Sequence, residues 1–241
     1  MDKALHGKRV VILGGSSGIG LAVAQTAAKE GAALVIGSSS KARIDQALAK
    51  LPKDAVGHVV DLTDEPAVKA LFAGLGAIDH LAFTAGDPLQ LGPIAAADIT
   101  AARNTFGVRF WGAYIAAKYG AANIRPGGSI IFTSGLAGMR PRSGWTLASS
   151  ICSAVEGLTR ALAVELAPIR VNVVAPGMVK TPLWRNMNEA DREGLFRQTA
   201  ARLPVGHVGQ AEEVAQAYVY LMQQTYGTGQ VLTIDGGAAL V

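Results

Sequence analysis

The sequence predicts a single α/β domain over residues 1–241, with a doubly wound parallel sheet of about seven strands covered by helices on both faces. Three observations predict it. Short β-branched runs alternate with longer amphipathic stretches from one end of the chain to the other. A glycine-rich turn, Gly14-Gly15-Ser16-Ser17-Gly18-Ile19-Gly20, separates the first such run from the first helical pattern. No linker, repeat or low-complexity segment divides the 241 residues, a length that α/β units often reach around one core.

Each element has its own signal. Val10 to Leu13 reads as a buried strand bounded by glycines, and Leu21 to Glu30 as a helix closed by Gly31. Ala33 to Ile36 forms the second strand, followed by a serine-capped helix through Leu51. Val56 to Val60 is the third strand, and Asp64-Glu65-Pro66 opens the next helix with an acidic first turn and an early proline. Ile78 to Phe83 and Ser129 to Phe132 are further strands, separated by a long helical stretch from Asp98 to Ala122. Ile151, Val155, Leu158, Leu162 and Leu166 share one side of a helix from Ser150 to Leu166. A strand from Val171 to Val174, a polar helical insertion around Asn186 to Thr199, a helix from Ala211 to Met222 and a strand from Val231 to Ile234 complete the series. Strands and helices in strict alternation require parallel pairing, and right-handed crossovers then cover both faces.

Composition narrows the function. Half the residues are hydrophobic and 17% are charged, enough apolar side chain for a large core. The net charge is +4, and the Lys and Arg residues are scattered without a basic stripe or interleaved aromatics, which argues against a nucleic-acid partner. Cys152 is the only cysteine, so no internal disulfide forms and a reducing compartment is expected. After Met1-Asp2-Lys3 the first apolar run is too short for a signal-peptide core, and no run approaches a membrane span. A cytoplasmic location without membrane partners is the expectation. His6, His58, His80 and His207 lack ligand-like spacing, so no metal is expected.

The glycine-rich turn carries the first functional signal. A strand that turns sharply into a helix while its backbone approaches a diphosphate excludes side chains at key places. The helix beyond it points free N–H groups and its positive dipole end at the phosphates. Gly14, Ser16, Ser17, Gly18, Ile19 and Gly20 are therefore candidate ligand contacts, with tight packing as the plainer use of the same glycines.

Glycines at 14, 18 and 20 give this turn a spacing that resembles the short-chain dehydrogenase/reductase superfamily. The resemblance extends over nearly the whole chain, because later segments match in order. It implies a Rossmann-type fold, a nicotinamide dinucleotide cofactor and a small-molecule carbonyl or alcohol substrate. It implies that Asp61, followed by Leu62, meets the adenine, and that Thr84-Ala85-Gly86 stands where the family has Asn-Ala-Gly. Pro176-Gly177, with Val179 and Thr181, matches the loop that grips the nicotinamide carboxamide, and Asp235-Gly236-Gly237 matches the family's C-terminal turn. Relatives associate through the helices equivalent to 98–122 and 150–166, so a homotetramer or homodimer is implied.

Members that prefer NAD place an acidic residue at the end of the second strand. This chain has Ser38-Ser39-Ser40-Lys41-Ala42-Arg43 there, with three hydroxyls and two cations and no carboxylate to repel a 2′-phosphate. NADP(H) is the expected cofactor, held by Ser38, Ser39, Ser40, Lys41 and Arg43. NAD(H) is the alternative, because the serines also suit a helix cap and Ser17 is not the basic residue that many NADP-binding relatives carry.

The family's reductases use a tyrosine, a lysine four residues later, a serine and a helix-borne asparagine. A free phenol titrates near about 10, so the neighbouring cation is what makes it useful at neutral pH. Counted back from Ala154-Val155-Glu156-Gly157-Leu158-Thr159-Arg160, the tyrosine position holds Ala148 and the lysine position Cys152. The asparagine position, three before Gly112, holds Arg109, and Ser134 matches the serine. Tyr114 and Lys118 have the spacing but lie in another helix. Ser134 and Arg109 are thus the candidate catalytic residues. Three uses stay open: an oxidoreductase with a different acid or base, a cofactor-binding sensor or partner subunit without turnover, and a non-redox step beside the nucleotide. Arg140 and Arg142 are candidates for an anionic substrate, and Trp145 and Trp184 for the pocket lining.

Overall fold

Strand β1 (Arg9–Leu13) leads through the glycine turn into α1 (Gly18–Lys29), and β2 (Ala33–Ser38) is followed by α2 (Lys41–Leu48). Next come β3 (Val56–Val59), α3 (Glu65–Leu75), whose N-cap Asp64 accepts from Ala67 N, and β4 (Ile78–Phe83). A helical passage, α4 (Ile99–Phe106) and α5 (Ala113–Gly120), precedes β5 (Ile124–Thr133), and α6 (Thr146–Glu165) precedes β6 (Arg170–Pro176). The chain then forms β7 (Val179–Lys180), α7 (Glu189–Ala200), β8 (Gly209–Gln210), α8 (Ala211–Gln223) and β9 (Val231–Ile234). This computed structural model describes residues 4–87 and 91–241; Met1 to Lys3, from which the N-terminus was read, lie outside the described residues.

Seven strands pair in parallel in the order β3-β2-β1-β4-β5-β6-β9, and β7 pairs with β8 apart from them. This is the doubly wound parallel sheet that the alternation predicts and the Rossmann type that the resemblance implies. The strand order reverses between β1 and β4, which are adjacent in register from Val10↔His80 to Leu13↔Phe83. A crevice opens at such a reversal, beyond the C-terminal ends of the strands.

The sheet is apolar on both faces because helices cover both. One layer packs α1, α2 and α8 against Val10, Ile12, Leu34, Ile36 and Ile131. The other packs α3, α5 and α6 against Val11, Leu13, Leu81, Phe83, Ile130 and Phe132. Burying each large apolar side chain contributes about 1.5–3 kcal/mol, so this double layer fixes the strand ends that build the crevice. Arg170, buried at the start of β6, donates to the carbonyls of Leu221 and Met222 and ties α8 to the sheet.

Three expectations change in detail. The stretch from Asp98 to Ala122 is not one regular helix: between α4 and α5 the residues Gly107–Gly112 form a π-helical turn that contains Arg109. Such a turn widens the helix by one residue and is frequent at functional sites. β5 begins at Ile124, ahead of the expected Ser129, because Arg125-Pro126-Gly127-Gly128 continues the strand through a register shift opposite β4. α6 starts four residues earlier than expected and is long and apolar enough to span a membrane by length and composition alone, which the reading of short apolar runs had excluded. Its Ala148, Ile151, Val155 and Leu162 pack into the core.

Candidate active site

The crevice at the β1/β4 reversal is a cavity of about 1040 Å³. Ligand clefts run to about 300–1,000 Å³, so it has room for a dinucleotide and a neighbour. Its floor is the glycine turn. Gly14 has φ +90°, and a Cβ there would lie 2.5 Å from Ala85 N, so the loops after β1 and β4 touch only because that side chain is missing. A Cβ on Gly20 would collide with Gly14 O and Thr84 Oγ1. Gly20 therefore sits behind the loop as packing and does not line the cavity. Ser17 is the N-cap of α1 but makes no side-chain cap, which leaves the first amides of a twelve-residue helix free toward the cavity. A diphosphate fits this cradle: backbone donors, a dipole end and no Cβ in the way.

The remaining cofactor candidates sort by contact. Ser16, Ser17, Gly18, Ile19, Ser38, Ser39, Arg43, Asp61, Leu62, Thr84, Ala85 and Gly86 all line the cavity. Ser16 and Ser38 join hydroxyls over 2.9 Å, and Arg43 Nη2 donates to Ser39 Oγ over 3.3 Å. Ser40 and Lys41 do not line it, contrary to expectation. Ser40 caps α2 by accepting from Arg43 N, and Lys41 pairs with Asp45 one helical turn on. The two local partners take both side chains away from the cleft. Asp61 accepts the Thr63 amide and hydroxyl on Oδ1, and those bonds hold its carboxyl below the usual carboxylate range. On the far side Pro176, Gly177, Val179 and Thr181 line the cavity, and a Cβ on Gly18 would come 3.4 Å from Thr181 Cβ, so this loop closes on the start of α1. Trp184 donates to Val179 O over 3.0 Å and packs edge-on against Phe196, which anchors the segment beyond it.

The reaction end is built by β5, α6 and the π-helical turn. Ala148 and Cys152, one turn apart on α6, both line the cavity, and Arg109 faces them from the turn. Tyr114 and Lys118 stand on α5, where Lys118 pairs with Glu65 over 2.6 Å, outside this wall. Ser134 lies on the wall of the cavity. Ser134 Oγ donates to Glu156 Oε1 over 3.1 Å, and the residue whose Cβ would face Cys152 Sγ, at 3.3 Å, is Gly135.

Arg109 is the polar centre of this wall. Its Nη2 donates to Asp87 O over 2.6 Å, and its Nε is buried without a hydrogen-bond partner among the described residues. Burial pulls its proton affinity down, while Cys152 and Asp87 act the other way. Burial pushes the Cys152 thiol up to about 11 despite Arg109, so the sulfur stays neutral and supplies no countercharge. The arrangement offers a guanidinium to a developing oxyanion and no ready side-chain proton. Arg140, Arg142, Trp145 and Trp184 line the cavity as anticipated, and Asp87, Arg185 and Arg202 line it unanticipated. The last three lie in loops with no strand or helix periodicity, so only the folded chain brings them in.

A family model described as an SDR-like Rossmann domain matches residues 2–241. A protein of Malbranchea aurantiaca named short-chain dehydrogenase/reductase malC is 36% identical over 98% of this chain and 96% of its own length. Its solved structure, described as MalC Reductase/Diels-Alderase, superposes with a TM-score of 0.91 at 34% identity, covering 100% of this chain and 99% of that one. The crystal structure of a small-chain dehydrogenase in complex with NADPH is 37% identical, with a TM-score of 0.83 over 97% of this chain and 99% of that one. The cis-4-hydroxycyclohexanecarboxylate dehydrogenase of Sinomonas cyclohexanicum is 33% identical over 100% of both chains.

Proposed function

The chain belongs to the short-chain dehydrogenase/reductase superfamily, and from that membership we propose that it is an NADP(H)-dependent reductase of a carbonyl compound, with Arg109 in place of the usual tyrosine and lysine. The observation that carries this reading is the Arg109 guanidinium, free of an ion pair and with Nε unsatisfied among the described residues, in a cavity it shares with Ala148 and neutral Cys152. The superposable NADPH complex and the carboxylate-free Ser38–Arg43 segment support the cofactor choice over NAD(H). The relatives named above are dehydrogenases or reductases, and a sensor without turnover is not favoured by them.

Bound along the cleft, the reduced nicotinamide supplies the hydride. The protein's residues do the rest. The free amides of α1 and the bare glycines receive the diphosphate, and Ser38, Ser39 and Arg43 receive the 2′-phosphate. Arg109 donates to the substrate oxygen and stabilises the charge that grows there as the carbonyl carbon gains the hydride and its π pair moves onto oxygen. The guanidinium proton is held too tightly to transfer, so a solvent proton completes the alcohol. A second reading, a non-redox step beside the nucleotide, is favoured by the want of a side-chain proton donor and by the Reductase/Diels-Alderase description of the malC structure. Loss of reduced-nicotinamide absorbance with a carbonyl panel supports the first reading. Conversion of a substrate with no cofactor consumed supports the second.

The proposal includes self-association as a homodimer or homotetramer. Trp111, Tyr114 and Val164 leave large apolar surface uncovered on the π-helical turn, α5 and α6, which a second copy would cover. A cytoplasmic setting belongs to the same proposal and rests on the lone Cys152.

A further inference from the structure

The arginines of the cavity outnumber its carboxylate side chains. Arg43, Arg109, Arg140, Arg142, Arg185 and Arg202 line it, with Asp61 and Asp87 as the acidic side chains among its lining residues. Among the described residues none of the six makes an ion pair. Uncharged anchors position four of the six, Arg43 through the Ser39 hydroxyl described above. Arg109 donates to Asp87 O, Arg140 Nη1 donates to Ala238 O over 2.9 Å, and Arg142 lies 5.7 Å from the Trp145 ring centroid. A guanidinium steadied by a carbonyl or a ring keeps its charge available for a ligand.

Apart from Arg109, the arginines fall into two groups. Arg43 and Arg185 also line a neighbouring pocket with Ser16, Ser17 and Gly18, which puts them at the phosphate end. Arg140 and Arg202 approach the turn after β9: Arg140 bonds Ala238 O, and Arg202 precedes Leu203-Pro204, whose proline would meet a Cβ on Gly237 at 2.6 Å. Arg142 sits two residues beyond Arg140 on the same loop. Cofactor phosphates account for the first group and leave the second without an anion.

We infer that the substrate is a carboxylic acid, an oxo acid in the reduction direction, whose carboxylate is taken by Arg140, Arg142 and Arg202 while its carbonyl oxygen meets Arg109. This rests on the reductase reading and adds the substrate class to it. Guanidinium–carboxylate bonds are charge-assisted, and two or three of them raise affinity over a neutral ester by about tenfold or more.

The test uses the full chain and two steps. NADPH affinity is measured first by fluorescence titration. The NADP+-saturated protein is then titrated with matched pairs, benzoylformate against its methyl ester and 2-oxo-4-phenylbutanoate against its methyl ester. Acids binding about tenfold more tightly than esters, with the ratio falling toward one in Arg142→Gln and Arg202→Gln while NADPH affinity holds, support the inference. Esters binding as well as acids, or no acid binding at all, overturn it while leaving the cofactor reading intact. A protein that fails to bind NADPH in the first step removes both.

Discussion

Arg109 lies against Gly86 across the cleft, so closely that a Cβ on Gly86 would sit 2.7 Å from Arg109 Cζ. The atom in the way is the end of a flexible side chain, so Gly86→Ala is expected to move the guanidinium rather than unfold the protein. Turnover of any accepted carbonyl substrate should fall about tenfold, with a thermal midpoint close to that of the parent. Arg109→Leu should cost about 10²–10³ in kcat, and Arg109→Lys should restore only part of it, because an ammonium is a point charge without the planar fork. Full activity in Arg109→Leu would remove Arg109 from the chemistry.

Cofactor choice turns on the end of β2. Ser38 is buried and bonded to Ser16, so Ser38→Asp places a carboxylate where the 2′-phosphate is proposed to sit. NADPH should bind about 10²-fold more weakly in that variant and NADH no worse than before. Arg43→Ala should weaken NADPH by about tenfold and leave NADH unchanged. Paired titrations by fluorescence check both, and equal losses for the two cofactors would contradict the assignment.

Cys152 is expected to behave as a packing residue. With its thiol pushed up to about 11 by burial, alkylation by iodoacetamide at neutral pH should be slow, and Cys152→Ala should leave the pH dependence of kcat unaltered. The same shift has a sign for stability. The raised folded value stabilises the protein below 9.0, and that stability is lost as pH rises from 9.0 toward about 11. Denaturant titrations in that range should show a smaller alkaline loss for Cys152→Ala.

His80 acts at the opposite end of the scale. It is buried in β4, with Nδ1 2.9 Å from Ser129 Oγ, and burial pulls it from 6.5 down to about 4. A depressed folded value contributes stability above 6.5 that is lost as pH falls toward 4, by about 3 kcal/mol in all. His80→Asn should flatten the acid limb of stability measured by denaturant titration. An unchanged limb would assign the acid sensitivity to other groups.

The fold was legible because the information is local. Val10 to Leu13, Ile78 to Phe83 and their helices announce themselves by period and by their caps, and parallel pairing follows from the alternation. The glycine turn was legible for the same reason: Gly14, Gly18 and Gly20 fall within seven residues, and the bare backbone there has a physical reason. Details that depend on orientation were not. Ser40 and Lys41 looked like ligands, but a helix start turns them to the Arg43 amide and to Asp45. Ser134 and Gly135 both meet α6, at Glu156 and at Cys152, and no periodic signal announces either contact. Asp87, Arg185 and Arg202 come from three separate loops, and their convergence is a property of tertiary structure alone.

The account stands on the cradle between β1 and α1, and the most direct measurement is a fluorescence titration of the purified protein with NADPH and NADH. Saturable binding of one molecule per chain, tighter for NADPH, is the expected result. No measurable affinity for either dinucleotide would contradict it.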